Sequence, residues 1–137
     1  MASVFHLALN VTGLAAARVF YGGLLGCTEG RSTASWVDFS FFGHQLSLHL
    51  GAPLTTAPTG MVDGKAVPMP HFGVVLPLAE WQALANKLQA EKIPFVIAPG
   101  VRFAGAPGEQ HTMFFLDPFG NPLEIKGLRD MSQMYAA

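Results

Sequence analysis

Charge is what this sequence has least of: Asp, Glu, Lys and Arg together make up 12% of its 137 residues. With hydrophobic residues at 50%, little polar material is left to cover an outer surface, which points to a large internal pocket, a subunit interface, or both. The eight Lys and Arg are scattered and the net charge is −1, so the basic patch needed by a nucleic acid or an anionic membrane is missing. Long apolar runs are absent too, as is the basic-then-apolar order of a secretory leader at the N-terminus. No membrane span is therefore expected, and the cytoplasm is the expected location. The single cysteine, Cys27, excludes an internal disulfide and fits a reducing compartment; a lone thiol of this kind is expected as a small core residue.

What is present is organised around F-F-L-D-P-F-G-N-P-L-E-I-K, residues 114–126. Pro118, Gly120 and Asn121 predict a tight turn, because Pro pre-sets one backbone angle while Gly and Asn accept the positive angles that follow. On the return strand, alternation puts Pro122, Glu124 and Lys126 on one face and Leu123 and Ile125 on the other. Glu124 thus points away from its apolar neighbours, toward solvent or a cavity.

Upstream, residues 4–11 read as a strand with His6, Ala8 and Asn10 on one face. Residues 14–25 carry apolar side chains at the three-and-four spacing of a helix, with Thr12 placed to cap it and Gly26 to end it. Strands are expected at 28–32, 35–41 and 45–50. Residues 51–69 shift to Gly, Pro, Thr and Ala with almost no periodicity and read as a linker or long flexible loop. The same order then restarts: strand at 71–76, helix at 80–92 with Trp81, Leu84 and Leu88 on one face, and strands at 95–98, 112–116 and 122–126.

The chain is therefore an internal duplication. His71 follows His6 by 65 residues (71 − 6), while G-N-P-L-E-I at Gly120 follows G-H-Q-L-S-L at Gly43 by 77 (120 − 43). The extra 12 form a Gly/Pro-rich excursion at residues 99–110. Both halves begin with a strand carrying His at the same place, and Glu124 aligns with Ser47. The expected organisation is a first module at 1–50, a linker at 51–69 and a second module at 70–137, joined as one structural unit.

These residues resemble the vicinal oxygen chelate superfamily, the group of glyoxalase I, extradiol dioxygenases, fosfomycin-resistance and bleomycin-resistance proteins. The resemblance rests on the paired modules, on Phe20-Tyr21-Gly22 followed by Leu25-Gly26, and on the D-P-x-G-N turn leading into Leu123-Glu124-Ile125. It covers essentially the whole chain. It implies an α+β fold in which two tandem βαβββ modules form a curved, partly open mixed sheet with the helices outside. A divalent metal (Fe, Zn, Ni or Mn) would be held by residues from the first and last strand of each module.

Carried over by position, His6, His71 and Glu124 match three ligands, and Ser47 stands where many members have Glu or His. A serine hydroxyl is a poor ligand for a divalent transition metal. His49, two residues along on the face of Ser47, is the tentative fourth, whereas His44 is off that parity. His111 is expected as a loop residue, or else as an acid or base over the pocket. Arg102 and Glu109 are expected to be solvated or paired with each other, with an Arg fixing an anionic substrate as the alternative. Two His and one carboxylate suit a non-haem Fe(II) oxygenase, and a four-ligand set suits a Lewis-acid metal. The implied protein is a homodimeric, metal-dependent enzyme of glyoxalase or dioxygenase type, with Glu124 as its catalytic base, acting on a small substrate. The opposing possibility is a metal-free, drug-sequestering binder.

Overall fold

The computed structural model describes residues 2–62 and 65–135 and divides the chain into two units. The first comprises the residues up to Thr55 together with Asp117–Asn121, and the second is made of the remainder.

In the first unit, β1 (His6–Val11), β2 (Thr28–Ser32), β3 (Trp36–Phe41) and β4 (His44–Leu50) form a mixed sheet in the order β1-β4-β3-β2. β1 runs parallel to β4, and β3 is antiparallel to both of its neighbours. The β3–β4 connection is two residues long, with Phe42 at φ 52° and Gly43 at φ 92°. Both angles lie in the left-handed region that a twisted two-residue hairpin requires. That turn fixes the register, so Phe41 faces His44 and Asp38 faces Ser47.

The expected helix over 14–25 is only partly regular. Its α-helical turn, α1, spans Leu14–Ala17, and Arg18–Leu24 continues as a wider π-type coil in which Leu25 N donates to Phe20 O at 2.9 Å. The cap is Gly13, with no side-chain hydrogen bond, so Thr12 does not serve as expected. A π-coil needs backbone freedom, and Gly22-Gly23 supplies it at a cost to regular helix. Gly26, at φ 73°, ends the segment as expected. Phe20, Tyr21, Val37, Phe39, Phe41, Leu46 and Leu48 are buried, leaving Asp38, Gln45, Ser47 and His49 on the other face by alternation.

The turn 117–121 completes this unit. Asp117 Oδ1 accepts from the backbone N–H groups of Phe119 (2.9 Å) and Asn121 (2.8 Å), and the Tyr21 hydroxyl donates to Asp117 Oδ2 at 2.7 Å. Asn121 Nδ2 donates to Asp117 Oδ2 and to the Asn10 carbonyl. Gly120, at φ 92°, takes the positive angle the sequence predicts, whereas Asn121 does not and ties the turn through its side-chain amide instead; the Asp117 carboxylate bonds the tyrosine of the F-Y-G motif.

In the second unit, β7 (Phe72–Pro77), β8 (Phe95–Arg102), β9 (Gln110–Leu116) and β10 (Pro122–Leu128) repeat the pattern in the order β7-β10-β9-β8. Helix α2 (Leu78–Ala90) buries Trp81, Leu84, Ala85 and Leu88, the face expected from its spacing. The Trp81 indole N–H donates to the Ile125 carbonyl at 2.9 Å. Gly127 makes room for that ring, since a Cβ there would stand 2.6 Å from Trp81 Cβ.

Residues 57–62 and 65–69 are not irregular; the two residues between them lie outside those described. β5 (Ala57–Val62) and β6 (Lys65–Met69) pair as an antiparallel two-stranded sheet, with Val67 buried against Ile97 and Phe114. Backbone pairing needs no apolar alternation, so such a pair leaves almost no periodic signal. Strands β8 and β9 also extend into the expected excursion, to Arg102 and from Gln110.

Candidate functional site

Strand β10 lies at the interior of the second sheet, flanked by β7 and β9. Its register sets Glu124 beside Gly73 and Phe114. A Cβ built on Gly73 would overlap the Glu124 carbonyl oxygen, so only glycine lets the two strands approach this closely. Glu124 is 6% exposed, and a carboxylate so buried requires charged or hydrogen-bonding partners.

It has four. The Thr112 hydroxyl donates to Oε2 at 2.6 Å. Arg102 Nη1 stands 3.6 Å from the same oxygen, and Arg102 is itself 7% exposed. On the other oxygen, Oε1, His71 Nε2 lies at 3.4 Å and Lys126 Nζ at 4.0 Å. The expected pairing of Arg102 with Glu109 is therefore corrected: Arg102 faces Glu124, while Glu109 stands 3.7 Å from Arg129 and accepts from Gly105 N. The hairpin register lengthens β8 far enough to carry Arg102 onto the sheet opposite Gln110.

His71 is oriented by its other nitrogen, since Nδ1 lies 2.8 Å from the Pro68 carbonyl. A carbonyl only accepts, so Nδ1 carries the hydrogen of that bond. In the neutral ring Nε2 is then an acceptor facing a carboxylate oxygen, and two acceptors at this distance attract only through a proton or cation between them. An imidazole tethered through its far nitrogen to a carbonyl, and a carboxylate whose second oxygen is held by a hydroxyl, are the supports that metal ligands need. His71 and Glu124 thus fit a divalent metal as two of its donors. Among the described residues, no three His, Cys, Asp or Glu side chains stand close enough to form such a site.

His6 and His49 lie in the first unit, both exposed, opposite Gln45 and Asn10 on the neighbouring strand. His49 has its ring 6.3 Å from that of Trp36. Ser47, where the repeat leads one to expect a ligand, is buried and donates to Asp38 Oδ1 at 2.6 Å. Asp38 was missed from the sequence, although the β3–β4 turn alone places it directly across from Ser47. Each unit therefore holds one hydroxyl–carboxylate pair on the face away from its helix, with the strands exchanged: Asp38 on β3 with Ser47 on β4, and Thr112 on β9 with Glu124 on β10.

His111 does not face this site. Its ring packs edge-on to Trp81 at 5.2 Å, on the helix-covered side of β9, because it alternates with Thr112. The reading of His111 as an acid or base over the pocket is corrected accordingly.

Duplicated βαβββ modules, the second presenting a His–Glu pair on its helix-free face, define the fold class. The particular family is settled by comparison: a model of the Glyoxalase/Bleomycin resistance protein/Dioxygenase superfamily matches residues 3–125, and the chain belongs to it. A glyoxalase/bleomycin resistance protein/dioxygenase from Alicyclobacillus acidocaldarius is similar at 32% identity, covering 97% of this chain and 96% of that one, with a TM-score of 0.80. Lactoylglutathione lyase from Agrobacterium tumefaciens matches at 20% identity over 100% and 98% of the two chains, TM-score 0.68. The fosfomycin resistance protein FosX from Listeria monocytogenes matches at 15% over 98% of each, also at 0.68. The latter two show the shared fold alone. Comparison with the curated proteins found no match. Among the described residues, no helix is long and apolar enough to cross a membrane.

Proposed function

We propose that this chain is a metal-dependent enzyme of the superfamily's glyoxalase/dioxygenase type, acting on a small oxygen-bearing substrate with His71 and Glu124 as metal donors. The observation that carries it is the pair itself: a tethered imidazole whose Nε2 faces Glu124 Oε1 at 3.4 Å. His6, and His49 as a fourth donor, enter through the family resemblance alone. A bound divalent metal would supply Lewis acidity toward adjacent substrate oxygens or, as Fe(II), dioxygen chemistry. The chain's own part is positional. Thr112 and Arg102 hold Oε2, so Oε1 is the oxygen turned toward His71 and Lys126, and Glu124 is the carboxylate available to take a proton from substrate.

One observation favours a second reading, that of a metal-free binder. Arg102 and Lys126 already bring two positive charges to Glu124. Elemental analysis of protein reconstituted with Fe, Zn, Ni or Mn and then desalted separates the two. About one metal per chain, lost in His71→Ala and Glu124→Gln, supports the enzyme; no retained metal in the parent protein moves the chain to the binder class. A homodimer is the proposed assembly, given the 12% charge content, and sedimentation velocity showing only monomer would remove it.

A further inference from the structure

Beyond Glu124, the same face of β10 leads into a cavity of about 300 Å³ in the second unit, at the small end of ligand pockets. Val75, Leu128 and Met134 give it an apolar wall, and Lys126 and Gln110 give it a polar one. Lys126 joins the two places, since it lines the cavity while its Nζ stands 4.0 Å from Glu124 Oε1.

The charges here do not cancel. Glu109, the acidic residue of the lining, is already matched by Arg129 at 3.7 Å. Glu124 is shared between Lys126 and the buried Arg102, so two cations face one carboxylate. Among the described residues, Arg102 Nη2 is buried without a hydrogen-bond partner, a second sign that this part of the unit is short of acceptors. Salt-bridge partners of a half-exposed lysine exchange readily with solvent, so its ammonium is free to turn toward a ligand.

We propose that this cavity binds a small carboxylate with a short apolar tail, the carboxylate on Lys126 and the tail against Val75, Leu128 and Met134. This rests on the reading that the Glu124 face is the working face, and it names the substrate class for it. The lining favours a monoanion over a phosphate ester, because Lys126 is the cation among the lining residues and leaves the second charge of a phosphate unmatched.

The test is calorimetric titration of chelator-treated, metal-free protein with butyrate, hexanoate and 1-hexanol. Hexanoate is expected to bind more tightly than butyrate by about fourfold per added methylene. It should also exceed 1-hexanol, with Lys126→Gln weakening hexanoate about tenfold while leaving 1-hexanol unchanged. Lys126→Arg, which keeps the charge, should restore hexanoate binding. Equal affinity for hexanoate and 1-hexanol, no effect of Lys126→Gln, or no hexanoate binding at millimolar concentration overturns the proposal. His71→Ala keeps the two hypotheses apart: it should abolish metal uptake and leave hexanoate binding intact, whereas Lys126→Gln should weaken hexanoate binding about tenfold and leave metal uptake in place.

Discussion

Replacing Glu124 by Gln keeps the shape of the side chain and removes one charge from the interior. Arg102, 7% exposed, then loses the carboxylate that stands 3.6 Å from its Nη1. At 3.6 Å and an effective dielectric near 20, the attraction forgone is about 4 to 5 kcal/mol. The Thr112 hydroxyl still finds an acceptor on the amide, so most of that hydrogen bond survives. Removing one member of a buried pair costs about 3–5 kcal/mol, and we expect a loss in that range, the larger part of it coming from the stranded guanidinium. Arg102→Met should cost less, because Glu124 keeps Thr112 and Lys126. The double variant should recover part of the loss, giving a coupling of at least about 2 kcal/mol. Urea unfolding of metal-free protein measures all four corners; with m near 2 kcal/mol/M, Glu124→Gln should lower the midpoint by about 2 M. A coupling below about 0.5 kcal/mol, the value for independent sites, would refute the buried pair as the basis of the site.

Two further outcomes follow from positions described above. Gly73→Ala places a Cβ on the Glu124 carbonyl oxygen and must push β7 from β10, so calorimetry should show a melting temperature lower by at least about 5 °C, and an unchanged value would remove the close approach. Alkaline stability concerns two buried acids: burial, with Asp117 alongside, holds the Tyr21 phenol above its usual 10.0, and burial pushes the Cys27 thiol from 9.0 to about 11. Both bind their proton more tightly folded than unfolded. The stability they add is therefore complete below about pH 9 and is lost as pH rises through 9 to 11 for Cys27 and above 10 for Tyr21. Urea midpoints between pH 8 and 11 should fall less steeply in Tyr21→Phe/Cys27→Ala than in the parent; identical slopes would contradict the assignment.

The repeat and the strand–helix–three-strand order were readable because they rest on alternation, helical spacing and turn chemistry, which are local. So was the direction of Glu124, since Leu123 and Ile125 fix the parity of β10. What escaped depended on pairing. Arg102 reaches Glu124 only because β8 extends past Gly100 by way of register shifts, which no spacing rule reveals. His111 fell on the wrong side because β9 begins at Gln110 rather than Thr112, so that residue belongs to a strand and takes its alternation. The β5–β6 pair left no pattern because antiparallel backbone pairing needs no apolar alternation. Asp38 was recoverable, had the two-residue turn at Phe42-Gly43 been used to count back across the hairpin.

The turn at Asp117–Asn121 bears on how this duplicated chain can be divided. The first unit is not a continuous stretch of sequence: its buried Tyr21 hydroxyl finds its acceptor almost a hundred residues downstream, in a hairpin whose strands β9 and β10 belong to the other unit. A gene fragment ending at Thr55 would encode a complete four-stranded sheet and still lack part of its own interior. Deleting the second module therefore breaks a bond inside the first.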